Sequence, residues 1–511
     1  MRESLIYESY KPLRNYLRQF PLMDSLAVTR AYFQYLQFGQ ALPNDIQVDP
    51  AFLRAVSRYD KKVYEWELEI LVKEIILNAD YNNSSSGKTI KQWHYFSKAV
   101  NEIKDLENII SIKYANLFKE NILLELYRIS HRQFPWQSNP NLIWITRYYK
   151  IFSNSELNLI IQKNIGLTTK ELYTLGLAII GIYLNNFVLH YPPTLFIGGI
   201  DKLKFDRFLD HFCIDMVSVR EKIKETQLYN QDFSYSFNQL RATPLIRTDY
   251  NKKDSLVCPI PTFLFRRFTD GIYYEICNEP AFSNPFGKSY QNYIGEALVK
   301  SITDSRYQIL CETEYFVGKN KKQTVDWILT DSDCNLFIEC KTKKLRAEAK
   351  ILLEDNKILN EDLNLMADFI VQIYKSILDY LNNFYLNFPN NKKLNFPLVV
   401  TLEDWYLYGD KIIVQELDTM VAAKFDEIGI KKDLLKTMPY SVCSTDDFEK
   451  TMQVINKVGI KKFMTNKTND EKRMWAFQPF MFNYFREEYN NAKELFPDDY
   501  REIHPAISGE N

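Results

Sequence analysis

The sequence lacks the closely spaced cysteines that mark zinc modules and disulfide frameworks. Its seven cysteines, at positions 213, 258, 277, 311, 334, 340 and 443, include no C-x-x-C pair and are scattered through hydrophobic segments. Structural zinc sites need neighbouring thiolate or imidazole ligands, and secreted frameworks need paired cysteines. The cysteine pattern therefore argues against zinc and predicts a protein of a reducing cytoplasm.

Long apolar runs and a phosphate-binding loop are also missing. The most apolar stretch, Leu175 to Leu189, is short and contains Asn185 and Asn186, whereas a membrane-spanning helix needs about 20 apolar residues. The first residues contain no signal-peptide core, and no G-x-x-x-x-G-K-[ST] motif occurs. We therefore expect a cytoplasmic protein with no membrane partner and no nucleotide cofactor.

An excess of positive charge is absent as well. Lys+Arg 64 against Asp+Glu 65 leaves a formal net charge of -1. A nucleic-acid enzyme with this balance has to rely on local basic patches. A chain of 511 residues is too long for one compact core, so two or three domains are expected.

What the sequence does contain is a predicted β-hairpin with charged residues in unusual places. Two β-branched and aromatic runs, Thr324 to Leu329 and Asn335 to Cys340, flank the polar stretch Thr330 to Asp333, which is typical of a hairpin turn. Because side chains alternate along a strand, Glu339 and Lys341 share one face. A carboxylate and an ammonium on the face of a core-type strand indicate a functional site.

Asp326, Glu339 and Lys341 are the residue types that metal-dependent phosphodiester hydrolysis requires. Mg²⁺ (or Mn²⁺) prefers oxygen ligands and keeps several waters. Asp326, Glu339 and the backbone carbonyl of Cys340 are the predicted ligands. A bound cation activates water and neutralises charge on the phosphate. Lys341 is predicted to orient or deprotonate that water, or to hold the phosphate as a point charge.

Acid-x-Lys triplets also occur elsewhere in this charged chain, at Glu102-Ile103-Lys104, Glu348-Ala349-Lys350 and Asp470-Glu471-Lys472. These three are predicted to be helix or loop surface, whereas the triplet ending at Lys341 lies on a strand. A surface ion pair on an edge strand is the alternative explanation for that triplet.

The hairpin resembles the core of the PD-(D/E)XK, or restriction-endonuclease-like, superfamily, with Asp326 as the Asp and Glu339-Cys340-Lys341 as the (D/E)-x-K. Phe286 to Glu296 is similar to the helix that precedes this hairpin, and Gln291 occupies the position where many members carry an acid. Asp368 to Tyr374 resembles the helix that follows it. There the resemblance implies that Gln372 and Tyr374 support the site; ordinary partly buried helix residues are the alternative.

The remaining core elements follow from patterning alone. We predict a helix over 294–302, a first strand over 306–317, a lysine-rich turn over 319–322, a helix over 370–386 and a buried strand over 396–402. This order gives a mixed sheet flanked by helices, an α/β sandwich, and the resemblance implies that it is a restriction-endonuclease-like core. Glu312 and Glu314 are predicted to be surface acids, with an approach to the metal as the alternative.

Four segments are expected. They are a mostly α-helical N-terminal domain for sensing or recognition (1–241), a connecting segment (242–285), the PD-(D/E)XK nuclease core (286–410) and a C-terminal completing α/β segment (411–511) in which Lys411 to Val414 is strand-like. Six basic residues flank the predicted site and are candidates for nucleic-acid binding, with solvated loop charge as the alternative: Lys319, Lys321, Lys322, Lys343, Lys344 and Arg346.

The resemblance implies a Mg²⁺-dependent nuclease acting on DNA, in the manner of large prokaryotic nucleases that defend the cell against foreign DNA. Cleavage of a duplex by one active site requires a homodimer or a second nick, and RNA is left open as the substrate. The alternative from another class is a non-catalytic nucleic-acid-binding or scaffold protein with a degenerate nuclease fold.

Overall fold

A computed structural model describes residues 2–39, 46, 48–56, 63–81, 88–137, 141–193, 200–351, 357–407 and 411–503. The chain forms two compact units. Unit 1 comprises Met1–Glu120, Arg132–Phe282 and Pro497–Asn511, and unit 2 comprises Asn121–His131 and Ser283–Phe496. The segment 242–285, predicted to be a connection, lies almost entirely in unit 1.

Unit 1 is mainly helical. Its helices are α1 (Arg2–Leu17), α2 (Leu22–Phe38), α3 (Pro50–Val56), α4 (Glu65–Asn78), α5 (Trp93–Lys113), α6 (Ala115–Glu120), α8 (Leu142–Phe152), α9 (Ser155–Ile165), α10 (Thr169–Asn185), α11 (Lys202–Phe212), α12 (Met216–Thr226), α13 (Pro261–Phe268) and α14 (Tyr273–Ile276). Short 3-10 helices lie at Phe134–Trp136, Phe233–Tyr235, Gln239–Arg241, Asp270–Ile272 and Asp499–Glu502. The helical character predicted for this half of the chain is confirmed.

A four-stranded sheet in unit 1 was not predicted. It contains β1 (Val188–His190), β2 (Cys213–Asp215), β3 (Leu245–Tyr250) and β4 (Lys253–Val257), in the order β1-β4-β3-β2. Asn251 and Lys252 join β3 to β4, and both have positive φ, at 53° and 62°. Two consecutive residues of this kind form the tight turn that suits the twist of a hairpin.

Unit 2 is an α/β structure. Its strands are β5 (Gln308–Cys311), β6 (Glu314–Val317), β7 (Asn320–Gln323), β8 (Trp327–Thr330), β9 (Cys334–Lys341), β10 (Leu394–Thr401) and β11 (Ser441–Ser444). Its helices are α15 (Ser283–Ser301), α16 (Ala347–Ile351), α17 (Lys357–Leu381), α18 (Lys411–Glu427), α19 (Leu434–Thr437), α20 (Thr445–Val458), α21 (Ile460–Lys467), α22 (Phe477–Tyr484) and α23 (Arg486–Asn490). The helix α7 (Ile122–Gln133) belongs to this unit up to His131.

The main sheet of unit 2 is mixed, with the order β11-β10-β9-β8-β5. Strand β8 is antiparallel to both of its neighbours, β5 and β9, whereas β10 is parallel to both β9 and β11. The central strand β9 is buried along most of its length, and Leu336, Phe337 and Ile338 are fully buried. A continuous apolar run of this kind is expected for a strand covered on both faces.

The predicted hairpin is present as β8 and β9. Its turn is held by Asp331, whose Oδ1 accepts hydrogen bonds from the backbone N–H groups of Asp333 at 2.9 Å and Cys334 at 2.8 Å. An aspartate that caps its own turn in this way is the reason that the stretch 330–333 signals a turn. The predicted strand over 396–402 is also present, as β10.

Three predicted elements are wrong. The stretch 306–317 is two strands, because the chain leaves β5 at Cys311 and forms a separate antiparallel pair, β6 with β7. The lysine-rich stretch 319–322 therefore lies mostly in β7, and Gly318 makes the turn with a φ of 63°. The stretch 411–414 is the first turn of α18, since a short apolar run fits a helix as well as a strand.

No single helix among the described residues is long and apolar enough to cross a membrane. Helices α9 and α10 are bent by 63° relative to each other. Only when they are counted together do they reach the length and apolar composition of a membrane span.

Candidate active site

The two predicted acids meet at the open end of the β8–β9 hairpin. Trp327 pairs with Ile338 at the first position of β8, so Asp326, one residue earlier, lies across from Glu339. The backbone N–H of Cys340 donates to Oδ2 of Asp326 at 2.6 Å. The hairpin register therefore fixes the Asp326 carboxylate beside the strand that carries Glu339.

Trp327 holds helix α15 against the open end of the hairpin. The indole Nε1 of Trp327 donates to the carbonyl of Gln291 at 3.0 Å. A Cβ at Gly295 would lie 2.0 Å from the Trp327 ring, so only glycine permits this approach of helix and strand. The contact positions Gln291 next to the hairpin end.

Lys341, Glu339 and Gln372 form a closed hydrogen-bonded triangle. The Lys341 ammonium donates to Oε1 of Glu339 at 2.8 Å and to Oε1 of Gln372 at 3.0 Å. The Gln372 amide Nε2 donates to the same Glu339 oxygen at 3.0 Å. The Lys341 ammonium also lies 5.0 Å from the centre of the Phe369 ring. Helix α17, which carries Phe369 and Gln372, thus orients both charged side chains of the triplet.

Tyr374, predicted to support the site together with Gln372, belongs to the core. Its side chain is fully buried, its hydroxyl donates to the carbonyl of Met438 at 2.6 Å, and its ring packs edge-on against Phe425. Residues two apart on a helix point in different directions. The structure therefore places Tyr374 in the core and gives it surroundings different from those of Gln372.

Glu312, predicted to be a surface acid, is an additional acid near the site. It follows the end of β5, and its Oε2 accepts from Nε2 of Gln291 at 3.1 Å. Its charge raises the pKa of both Asp326 and Glu339. Glu314, in contrast, is an exposed acid that pairs with Lys321 at 2.7 Å. The break between β5 and β6 separates the two acids, and alternation along a single strand could not reveal it.

The pKa values of the two acids, Asp326 and Glu339, are raised because the carboxylates lie close together and away from solvent. Burial raises the pKa of Asp326 to about 7, and the negative charge of Glu339 adds to the shift. Burial also raises the pKa of Glu339, against the opposing charge and hydrogen bond of Lys341. Desolvation and like charge both disfavour ionised acids. A bound cation would relieve both effects.

The donors present fit a hard divalent cation. Among the described residues no three His, Cys, Asp or Glu side chains form a common ligand set, so the protein side chains offer the pair Asp326 and Glu339. Mg²⁺ is commonly held by one or two carboxylates, with waters and substrate phosphates completing its octahedron. The Cys340 thiol lies in buried surroundings that raise its pKa well above the usual value, so a thiolate ligand is disfavoured there.

The six basic residues proposed for nucleic-acid binding fall into different environments. Lys344 is buried and pairs with Glu403 at 2.6 Å, and Arg346 binds Glu361 and Asp362. Lys321 and Lys322 pair with nearby acids on the surface. Within the described part of the chain, Lys319 and Lys343 form no ion pair. The burial of Lys344 depends on loop packing rather than on the local sequence pattern.

Comparison of the chain with protein-family models, with curated proteins and with solved structures gives no match. Functional inference therefore depends on the geometry and chemistry of the site itself.

Proposed function

We propose that the protein is a metal-dependent nuclease that hydrolyses phosphodiester bonds of DNA. The observation that carries the proposal is the arrangement at the hairpin end. Asp326 and Glu339 lie across from each other, and Glu339 shares a hydrogen-bonded triangle with Lys341 and Gln372. A surface ion pair needs no second acid opposite it and no amide that orients both partners.

The order of elements around the site supports a PD-(D/E)XK core in unit 2. Helix α15 precedes the antiparallel strands β5, β8 and β9, and helix α17 then leads to the parallel strand β10. The resemblance to the PD-(D/E)XK superfamily predicts this order of helix, three strands, helix and strand. The hairpin β6–β7 and the strand β11 are additions to it.

Each residue has a distinct role in the proposed hydrolysis. Asp326, Glu339 and the backbone carbonyl of Cys340 would hold Mg²⁺ or Mn²⁺, which supplies an activated water and neutralises charge on the phosphate. Lys341 donates hydrogen bonds and would orient the attacking water or hold a non-bridging phosphate oxygen. Gln372 fixes Lys341 and Glu339 relative to each other. Glu312 and Gln291 line the site on the side of α15.

The cellular setting is part of the same proposal. We place the enzyme in the cytoplasm, where its seven cysteines remain free thiols as in the structure. A role in defence against foreign DNA follows from the resemblance to large prokaryotic nucleases alone. A homodimer would let two such sites cut both strands of a duplex.

The test is a cleavage assay with plasmid, linear DNA and RNA, in Mg²⁺ and in chelator. We expect Mg²⁺-dependent cleavage by the wild type and its loss in both Asp326→Ala and Lys341→Ala. Lys104→Ala is the matched control, because Lys104 ends an acid-x-Lys triplet on helix α5 and pairs with Glu67 at 3.3 Å. Equal cleavage by Lys341→Ala and the wild type would reject the site, and cleavage of RNA alone would change the substrate.

A further inference from the structure

Unit 2 carries a group of solvent-exposed aromatic rings near its C-terminal end. Trp475, Phe482 and Tyr484 are 37%, 41% and 44% exposed. Among the described residues of unit 2, Phe316 is the other exposed large aromatic side chain. Three exposed rings within ten positions are a concentration that a solvated surface does not require. We call Trp475 and Tyr484, whose ring centres lie 6.0 Å apart, the aromatic surface; Phe482, two positions before Tyr484 on the same helix, points in a different direction.

The aromatic surface is built on a packed support. Phe480 and Phe485 are buried, and their ring centres lie 5.4 Å and 5.3 Å from the centre of the Phe463 ring. The Tyr484 ring centre lies 5.3 Å from Phe480 and 6.0 Å from Trp475. Because α21 and α22 hold the rings in place, little conformational entropy remains to be lost when a flat ligand binds.

One cationic side chain lies against the aromatic surface, and a second lies against Phe482. The Lys472 ammonium is 4.3 Å from the centre of the Tyr484 ring, and the Arg486 guanidinium is 4.2 Å from the centre of the Phe482 ring. In the portions of the chain that the structure describes, neither cation forms an ion pair. Aromatic faces interleaved with cations are the combination that binds unpaired bases and their phosphates.

We propose that the aromatic surface binds single-stranded nucleic acid, which would make a strand with unpaired bases the preferred substrate form of the proposed nuclease; the inference rests on that function. Bases of a duplex are stacked on each other and offer no free face, whereas unpaired bases can stack on protein rings. Four acids lie in the same segment: Asp470, Glu471, Glu487 and Glu488. Stacking, rather than net charge, therefore supplies the affinity.

The test measures binding in chelator, where no cleavage occurs, by fluorescence anisotropy of labelled oligo(dT), oligo(U) and a duplex of equal length. We expect tighter binding of either single strand than of the duplex. Trp475→Ala and Tyr484→Ala should each weaken it about tenfold or more, as the loss of one stacked base predicts. Trp475→Phe keeps a ring and should retain most of the affinity, and Phe316→Ala is the control for an exposed ring elsewhere in unit 2.

The dependence on salt provides a second readout. Neutralisation of one phosphate by Lys472 gives a slope of log K against log salt of about -0.7 for a single strand. Equal affinity for duplex and single strand, or unchanged affinity in Trp475→Ala with an unchanged thermal transition, would overturn the proposal. So would self-association of the chain through these rings. A Trp475→Ala variant that loses single-strand binding but still cleaves duplex DNA would leave the nuclease assignment standing. That assignment is tested separately by Lys341→Ala.

Discussion

Replacing Asp326 by asparagine is expected to stabilise the metal-free protein while it removes function. The wild-type carboxyl is held among other acids, and burial raises its pKa from 3.8 to about 7. Asparagine keeps an oxygen that can accept the hydrogen bond from Cys340 N–H and carries no charge. Residues arranged to bind a cation destabilise the fold when the cation is absent.

The magnitude follows from the pKa. The rise in the pKa of Asp326 from 3.8 to about 7 corresponds to at most about 4 kcal/mol of unfolding free energy at pH 8. Because the side chain is partly exposed, solvent screening reduces this to about 2 kcal/mol. For a unit of this size, the Asn variant should unfold about 4 to 8 °C higher than the wild type.

The pH dependence has a definite sign. The native state keeps the Asp326 proton up to about pH 7, whereas the unfolded chain releases it near pH 4. The contribution of Asp326 to the free energy of unfolding is therefore fully present below pH 4, and it is lost as the pH rises through 7. Asparagine does not titrate, so the advantage of the variant should grow from pH 4 to pH 8.

Thermal unfolding in chelator at pH 4, 6 and 8 measures this difference. Asp333→Asn is the matched control, because it removes an exposed acid from the turn of the same hairpin. Added Mg²⁺ should raise the unfolding temperature of the wild type and leave that of Asp326→Asn unchanged. An unfolding temperature of Asp326→Asn at pH 8 equal to or below that of the wild type would refute the electrostatic reasoning.

Three further substitutions examine single contacts. Gln372→Ala should lower kcat about tenfold in a cleavage assay, because Lys341 and Glu339 lose their shared amide. Glu312→Gln should move the acidic limb of the pH–rate profile to lower pH, since its charge raises the pKa of Asp326; an unmoved limb would contradict this. Tyr374→Phe should leave cleavage unchanged and cost about 1 kcal/mol of stability in denaturant unfolding, through one lost hydrogen bond to Met438.

The central hairpin was predictable because local rules agree there. Alternation places Glu339 and Lys341 on one face, and Asp331 marks the turn with a side chain that caps its own backbone. Register then fixes which residues lie opposite each other. The closeness of Asp326 to Cys340 follows from a short turn and a regular ladder.

The remaining features depend on contacts between distant segments. The separation of β5 from β6 gives Glu312 and Glu314 different surroundings, although alternation puts both on one face. Lys344 is buried because Glu403, 59 positions later in the chain, meets it. The sheet of unit 1 pairs β1 with β4 across more than sixty residues. Patterning within a window of the chain does not report such pairings.

Calorimetric titration of Mn²⁺ tests the central claim, that Asp326 and Glu339 bind one cation, most directly. We expect binding of metal to the wild type at this site, with protons released near neutral pH as the raised pKa of Asp326 requires. Glu339→Gln should lose that binding, and Glu102→Gln, altered in a triplet on helix α5, should retain it. Equal Mn²⁺ binding by Glu339→Gln and the wild type would contradict the account.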